Sequence, residues 1–327
     1  MSNMAKHINL GVMFRREQAP ESLPAYARRV EELGFDELWV VEDWGYLGGI
    51  SQATAALAAT ERITVGLGIV PAVARNAAFL AMEFATLARM YPGRFHGGIG
   101  HGVAEWMEQV GARPASWLAS IEETTSAVRA IMRGENLNVD GRYVRLRDVQ
   151  LEDAPEQVPP VSLGVRGPKS LEVAGRSADG TILAENSAPA YVTWAREHIA
   201  RGVKAAGRTD HHRVTVYANA VVSATDPDGA REVAREASAS MLGGEASVQT
   251  SMLPYADDLA RVSVDGPAAI RDEWLDDLAI AGSPEQGVEA IQRLAEAGAD
   301  SIVLVPPVGT DYDAWLEDVA SLVPPGR

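Results

Sequence analysis

The sequence predicts a (β/α)8 TIM barrel, with a doubly wound open sheet as the second choice of architecture. Three observations predict it. Helical and short apolar segments alternate eight times along 327 residues. The short segments are apolar at nearly every position, which is the pattern of parallel strands covered on both faces. One phrase also recurs, a helix ending in Gly, then small or polar residues with an Asp, then an apolar run: VEELGFDELWVV, VAGRSADGTILA and LAEAGADSIVLV. Each Gly suits the left-handed position that closes a helix. With 46% hydrophobic residues the chain can bury a large core, and barrels of this length are commonly one domain, here 1–327.

Taken in order, a strand is expected at 8–14, a helix at 23–33, a strand at 37–41, a helix at 50–60 and a strand at 63–69. The helix expected at 77–90 repeats Met82, Leu87 and Met90 at roughly helical spacing, and Pro92-Gly93 stops it. Strand 94–99 then runs into Gly100-His101-Gly102, where residues without Cβ allow a ligand close to the backbone. A helix at 117–132 leads to an Asp-Gly turn within 138–144, read as a small hairpin decorating the barrel. Strand 161–165, helix 169–176, strand 181–184, helix 191–206 and strand 214–222 resume the alternation. Helical segments dominate 226–280, with breaks at 241–244 and Pro254-Tyr255, so this stretch is expected to be a helical insertion between units seven and eight. The eighth unit spans 283–305.

Several functional classes are excluded. A formal charge of −16 argues against a sequence-independent nucleic-acid surface, which needs clustered Lys and Arg. The absence of cysteine removes disulfides, thiol nucleophiles, thiolate metal sites and iron–sulfur clusters. No apolar run is long enough to span a bilayer and no secretory signal opens the chain, so a cytoplasmic enzyme is expected. A nucleophile elbow of the form G-x-S-x-G and a Walker loop are both missing, and the glycines of 97–102 lack dinucleotide-binding spacing. No metal site is expected, because no pair of histidines stands at ligand spacing beside carboxylates and His211-His212 fall in a polar turn.

Barrel active sites lie at the C-terminal ends of the strands. The candidates are therefore Arg15 and Arg16 after strand one, Glu42, Asp43 and Trp44 after strand two, and Gly68 to Val70 after strand three. Gly100, His101, Gly102 and Glu105 follow strand four, Arg166 to Lys169 strand five, and Glu185-Asn186 strand six. The segment LGVRGPKS ends a strand and opens a helix with Pro in the first turn, which leaves unbonded N–H groups facing the mouth as a phosphate site or as an ordinary βα turn. Asp43 and His101 are placed to serve as acid, base or ring contact, or else are solvated loop residues. Trp44, Trp106 and Met107 could line a flat pocket, although packing in the core is the default for each.

The strings LARMYPGRFHGGIGHGVAEWMEQVGA, VRGPKSLEVAGRSADGTI and GSPEQGVEAIQRLAEAGADSIVLVPP carry a resemblance to the bacterial luciferase-like family of flavin and deazaflavin oxidoreductases, over nearly the whole chain. The first string is most similar to the branch resembling methylenetetrahydromethanopterin reductase, which uses coenzyme F420. The resemblance implies a TIM barrel of bacterial luciferase type and hydride transfer between the deazaflavin and a small organic substrate. It implies that Gly68-Ile69 forms a bulge under the ring, where the family often holds a non-prolyl cis peptide. Asp43 matches the family carboxylate beside the reactive face; the next residue, often His in relatives, is Trp44, and His101 is the substitute proton donor. Cofactor contacts are implied for Gly11, Gly68, Ile69, Gly100, Gly164, Val165, Arg166, Gly167, Pro168, Lys169, Glu185 and Asn186. Arg166, Lys169, Arg75 or Arg94 must offset the acidic field toward an oligoglutamate tail. A homodimer or homotetramer is implied. Two other readings stay open, an FMN-dependent monooxygenase using reduced flavin and O2, and a barrel that binds a ligand without catalysis.

Overall fold

The computed structural model describes residues 8–242 and 247–324. Strands β1 (Asn9–Phe14), β2 (Glu37–Val40), β3 (Thr64–Pro71) and β4 (Phe95–Gly100) alternate with helices α1 (Leu23–Glu32), α2 (Gly49–Ala59) and α3 (Ala77–Met90). After β4 come a short helix α4 (Ala104–Gln109), α5 (Trp117–Met132), and a two-stranded hairpin of β5 (Leu137–Asp140) and β6 (Arg145–Val149). The path continues through β7 (Val161–Gly164), α6 (Pro168–Ser177), β8 (Gly180–Leu183), α7 (Pro189–Ala205) and β9 (Arg213–Val222). Helices α8 (Pro227–Ser240), α9 (Ser247–Thr250), α10 (Ala256–Ala260), α11 (Val262–Asp265) and α12 (Asp272–Leu278) precede β10 (Ala279–Gly282), α13 (Pro284–Glu296), β11 (Ser301–Val305) and α14 (Tyr312–Ala320).

Parallel pairing runs β1, β2, β3, β4, β7, β8, β9, β11 and back to β1, so eight strands close a TIM barrel. β9 is ten residues long because it serves two partners: its first part pairs with β8 and β11, and Asn219 to Val222 pair with β10. This corrects the reading of 226–280, whose last residues are strand and not helix. Four apolar residues, Ala-Ile-Ala-Gly, carry too short a pattern to separate strand from helix without their partner. The break expected at 241–244 extends into residues outside those described.

Between barrel and helices, Val12, Leu38, Val65, Phe84 and Phe95 are buried in one large apolar layer. On α3 the covered face is Leu80, Phe84, Leu87 and Ala88, while Met82 and Met90 are exposed. The expected grouping of those two with Leu87 was therefore wrong in phase. Inside the barrel a second cluster holds Met13, Trp39, Ile182, Tyr217, Val303 and Val305. Two large rings fit there because the facing positions are glycine: a Cβ on Gly66 would stand 2.2 Å from Trp39, and one on Gly68 would stand 1.9 Å from the Tyr217 hydroxyl. Below the rings the barrel is closed by polar groups. Glu37 accepts from Asn9 Nδ2, Trp39 Nε1 and Ser301 Oγ, each at 2.8 Å, and pairs with Arg213. His212, expected in a polar turn, is buried and bonded to Thr181 at 2.8 Å.

Candidate active site

At the C-terminal ends of the strands lies a cavity of about 1290 Å³. Its floor is the Gly68–Ile69 segment of β3, where the register against β4 shifts and the peptide is cis, as the resemblance implies. The Ile69 side chain rests on glycines: a Cβ on Gly100 or Gly164 would stand 2.7 Å from it, and one on Gly98 3.2 Å. Glycine at these positions leaves room for Ile69, which forms a ledge in the cavity lining.

Tyr217 reaches this ledge from β9, on the opposite wall of the barrel. Its ring meets Trp39 edge-on at 5.7 Å, and its buried hydroxyl has no hydrogen-bond partner among the described residues. Burial raises its pKa well above the ordinary value, so it stays a protonated donor. Gly68→Ala is expected to destabilise the chain by about 1–3 kcal/mol, the usual cost of overpacking. Pairing it with Tyr217→Phe, which deletes the clashing oxygen, is expected to restore part of the lost melting temperature. No recovery would show that the two residues do not meet.

Around the mouth the loops after β1, β2 and β4 come together. Asp43 accepts from Arg16 at 2.8 Å, and the Arg16 guanidinium also lies 4.6 Å from the Tyr46 ring centre and 5.6 Å from that of Trp106. Glu17 binds both Arg15 and Arg16, at 2.9 and 3.0 Å. Glu42 takes Arg75 at 2.7 Å and the Gly49 amide at 2.9 Å. His101 lines the cavity and bonds Ser170 Oγ through Nε2 at 3.2 Å, with its ring edge-on to Trp117. Burial lowers its pKa to about 4, so near neutral pH it is an uncharged imidazole that bonds but holds no surplus proton.

On the far side, β7 runs into Val165, Arg166 and Gly167 and then into α6. No side chain among the described residues caps α6, and Pro168 occupies its first turn. The amides of Lys169 and Ser170 are therefore left for another acceptor. Helices α3, α5, α8, α13 and α14 carry a side-chain cap, whereas α1, α2, α4 and α7 share the uncapped start of α6, so what distinguishes α6 is its place at the cavity edge beside Arg166. The Tyr191 hydroxyl steadies this loop by donating to the Arg166 carbonyl at 2.7 Å.

The structure brings Asp43, Trp44, Gly68, Ile69, His101, Gly164, Val165, Arg166, Gly167 and Glu185 to this cavity. Five expected positions stand back from it. Gly11 packs lower in the barrel, where a Cβ would meet Glu37 at 2.9 Å, and Gly100 lies beneath Ile69. Pro168 and Lys169 are exposed on the α6 turn. Asn186 is buried with a positive φ of 60°, and its amide donates to the Ser238 carbonyl at 3.0 Å. Arg94 immediately precedes β4, at the opposite end of the barrel, and is bonded to the Ile63 and Thr60 carbonyls, so it cannot face a ligand at the mouth. Arg75 is engaged by Glu42. Sequence reasoning missed Tyr217; the available signal was one phenol in the middle of the largely apolar strand RVTVYANAVV, whose hydroxyl needs a partner. It also missed Gln249 on α9, which donates to the Ala184 and Glu185 carbonyls at 2.9 and 2.6 Å and ties the 226–280 helices to the cavity edge.

Residues 7–301 match the sequence pattern of the luciferase-like monooxygenase family. The chain belongs to that family. Among relatives, it is 27% identical to 5,10-methylenetetrahydromethanopterin reductase of Methanolobus tindarius, covering 94% of this chain and 96% of the relative. It is 29% identical to F420-dependent glucose-6-phosphate dehydrogenase of Beutenbergia cavernae, covering 97% of each. Its fold matches the coenzyme F420 dependent tetrahydromethanopterin reductase of Methanopyrus kandleri with a TM-score of 0.82 at 22% identity, over 97% of this chain and 98% of that one. Among the described residues of this luciferase-like chain, no helix is long and apolar enough to cross a membrane.

Proposed function

We propose that this chain is an F420-dependent oxidoreductase acting on a small organic molecule. One observation carries the reading: a single cavity joins the uncapped α6 end, the glycine-seated Ile69 ledge and the Asp43 carboxylate. The residues fit the coenzyme. The α6 amides and Arg166 suit its phosphate, the ledge suits a flat ring, and the unpartnered Tyr217 hydroxyl offers a donor at the floor. When bound, F420 supplies hydride chemistry at its deazaflavin ring.

The chain's own groups bind, orient and manage protons. Gly164, Val165 and Gly167 would let the backbone approach a phosphoryl linker, and Glu185 would border the sugar-like chain. Asp43, held in place by Arg16, is the carboxylate that takes or returns a proton, and Trp44 shields it at the rim. His101 orients Ser170 as a neutral partner. The same reading treats 1–327 as one domain, with the helices of 226–280 inserted to wall the substrate side through Met241 and Val248. It also places the protein in the cytoplasm as a homodimer or homotetramer.

Titrating the purified chain with F420 and separately with FMN tests the assignment, with F420 expected to bind at least tenfold tighter. Tighter FMN would replace it with a flavin monooxygenase reading. Asp43→Ala is expected to abolish turnover while F420 affinity changes less than about threefold. Undiminished turnover would remove Asp43 from the chemistry.

A further inference from the structure

The other half of the mouth shows which substrates suit it, an inference that rests on the proposed cofactor occupying the α6 side. On the loops after β2 and β4 the chain leaves large apolar groups in water: Trp44 is 56% exposed, Tyr46 50%, Val103 39% and Val110 43%. All four line the cavity, together with Trp106, and α4 carries two of the positions directly at its ends. Exposing such a contiguous patch is unfavourable unless something covers it.

The charges on the same wall are already matched. Arg16 is shared by Asp43 and Glu17, Arg15 is bound by Glu17, and Glu42 is held by Arg75. An anionic substrate would have to evict a carboxylate from a formed ion pair, and a cationic one would compete with Arg16 both for Asp43 and for the faces of Tyr46 and Trp106. Neither exchange gains a new charge interaction, and each leaves the displaced partner unpaired. The remaining arginine of the lining, Arg166, stands across the cavity on the phosphate side.

We infer that the wall formed by Trp44, Tyr46, Val103, Trp106 and Val110 receives an uncharged, largely apolar substrate that presents a flat or ring-shaped face. Such a molecule covers the patch and disturbs none of the ion pairs. Phosphorylated sugars and carboxylates of similar size are disfavoured.

Calorimetric titration of the F420-loaded chain with α-tetralone, 1-naphthoate and glucose 6-phosphate tests this. α-Tetralone and 1-naphthoate share a fused two-ring frame and differ in charge. α-Tetralone is expected to bind at least tenfold more tightly than either anion. Val110→Arg, which adds a cation at an exposed position, is expected to shift the tetralone-to-naphthoate ratio at least tenfold toward naphthoate. Equal or tighter binding of either anion by the unaltered chain, or no binding of α-tetralone, overturns the inference. The same titration without F420 separates the two readings: if F420 fails to bind but the preference for α-tetralone persists, the cofactor assignment falls and the apolar wall stands. If F420 binds and an anion is preferred, the wall assignment falls alone.

Discussion

Replacing Glu37 by alanine is expected to cost the fold about 3–5 kcal/mol, the range for removing one partner of a buried ion pair. The carboxylate closes the barrel floor and satisfies four donors at once, from Asn9, Trp39, Arg213 and Ser301. Alanine strands the Arg213 cation and leaves the Trp39 and Ser301 donors in an interior from which water is excluded. Part of the cost is relieved because Arg213 keeps about a quarter of its side-chain surface, 26%, in water. Equilibrium urea unfolding measures the effect as a lower midpoint at unchanged slope. A change below about 1 kcal/mol would show that the pair is nearly neutral against its desolvation cost.

The same site has a signed pH dependence. Burial pushes the Glu37 carboxyl upward, but Arg213 and the three neutral donors outweigh it, so its pKa in the fold lies below the ordinary 4.5. The unfolded chain then binds the proton first. The stabilisation from Glu37 is complete above pH 4.5 and is lost as pH falls through the lower folded value. The stability gap between the unaltered chain and Glu37→Gln is therefore expected to narrow below pH 4.5.

Reversing charge at the α6 loop, Arg166→Glu with Lys169→Glu, is expected to weaken F420 binding by at least about a hundredfold: a hydrogen bond from Arg166 to a charged group contributes about 1.5–3 kcal/mol, and both reversed charges then repel the anion from close by. The background amplifies the loss. At a net charge of −16, an anionic cofactor is repelled everywhere except where cations and helix amides are concentrated. Affinity of the altered chain is also expected to rise with added salt, because screening then relieves a repulsion. Fluorescence titration against an unchanged melting temperature reads the result. Affinity within threefold of the original would place the phosphate elsewhere.

Part of this was legible in the chain itself. The phrase of helix, Gly, Asp and apolar run is local, and its repetition announced a parallel barrel, although only Gly34 and Gly298 take the left-handed position while Gly175 lies inside α6 against the Ile199 carbonyl of α7; helices 77–90 and 117–132 fall on α3 and α5 residue for residue. The mouth loops were legible for the same reason, because the position after a strand is a property of the strand. β10 and α4 were not. Four apolar residues become a strand only beside the overhanging end of β9, and six residues of α4 are too few for a period to be read.

By itself, then, the sequence determined the eight alternating barrel strands and their main helices, which loops share the open end, and that a helix would begin with Pro in its first turn beside Arg166. These follow from backbone preferences and hydrophobic period over a few neighbouring residues. Only the tertiary structure decided that Tyr217 crosses the barrel to Gly68, that Glu37 and Arg213 meet 176 positions apart, and that Arg16 binds Asp43 while its guanidinium lies against the Tyr46 and Trp106 rings. It also decided that burial keeps His101 neutral. Such pairings depend on the closure of eight strands into a ring, which brings distant residues within bonding distance and removes the water that would otherwise screen them.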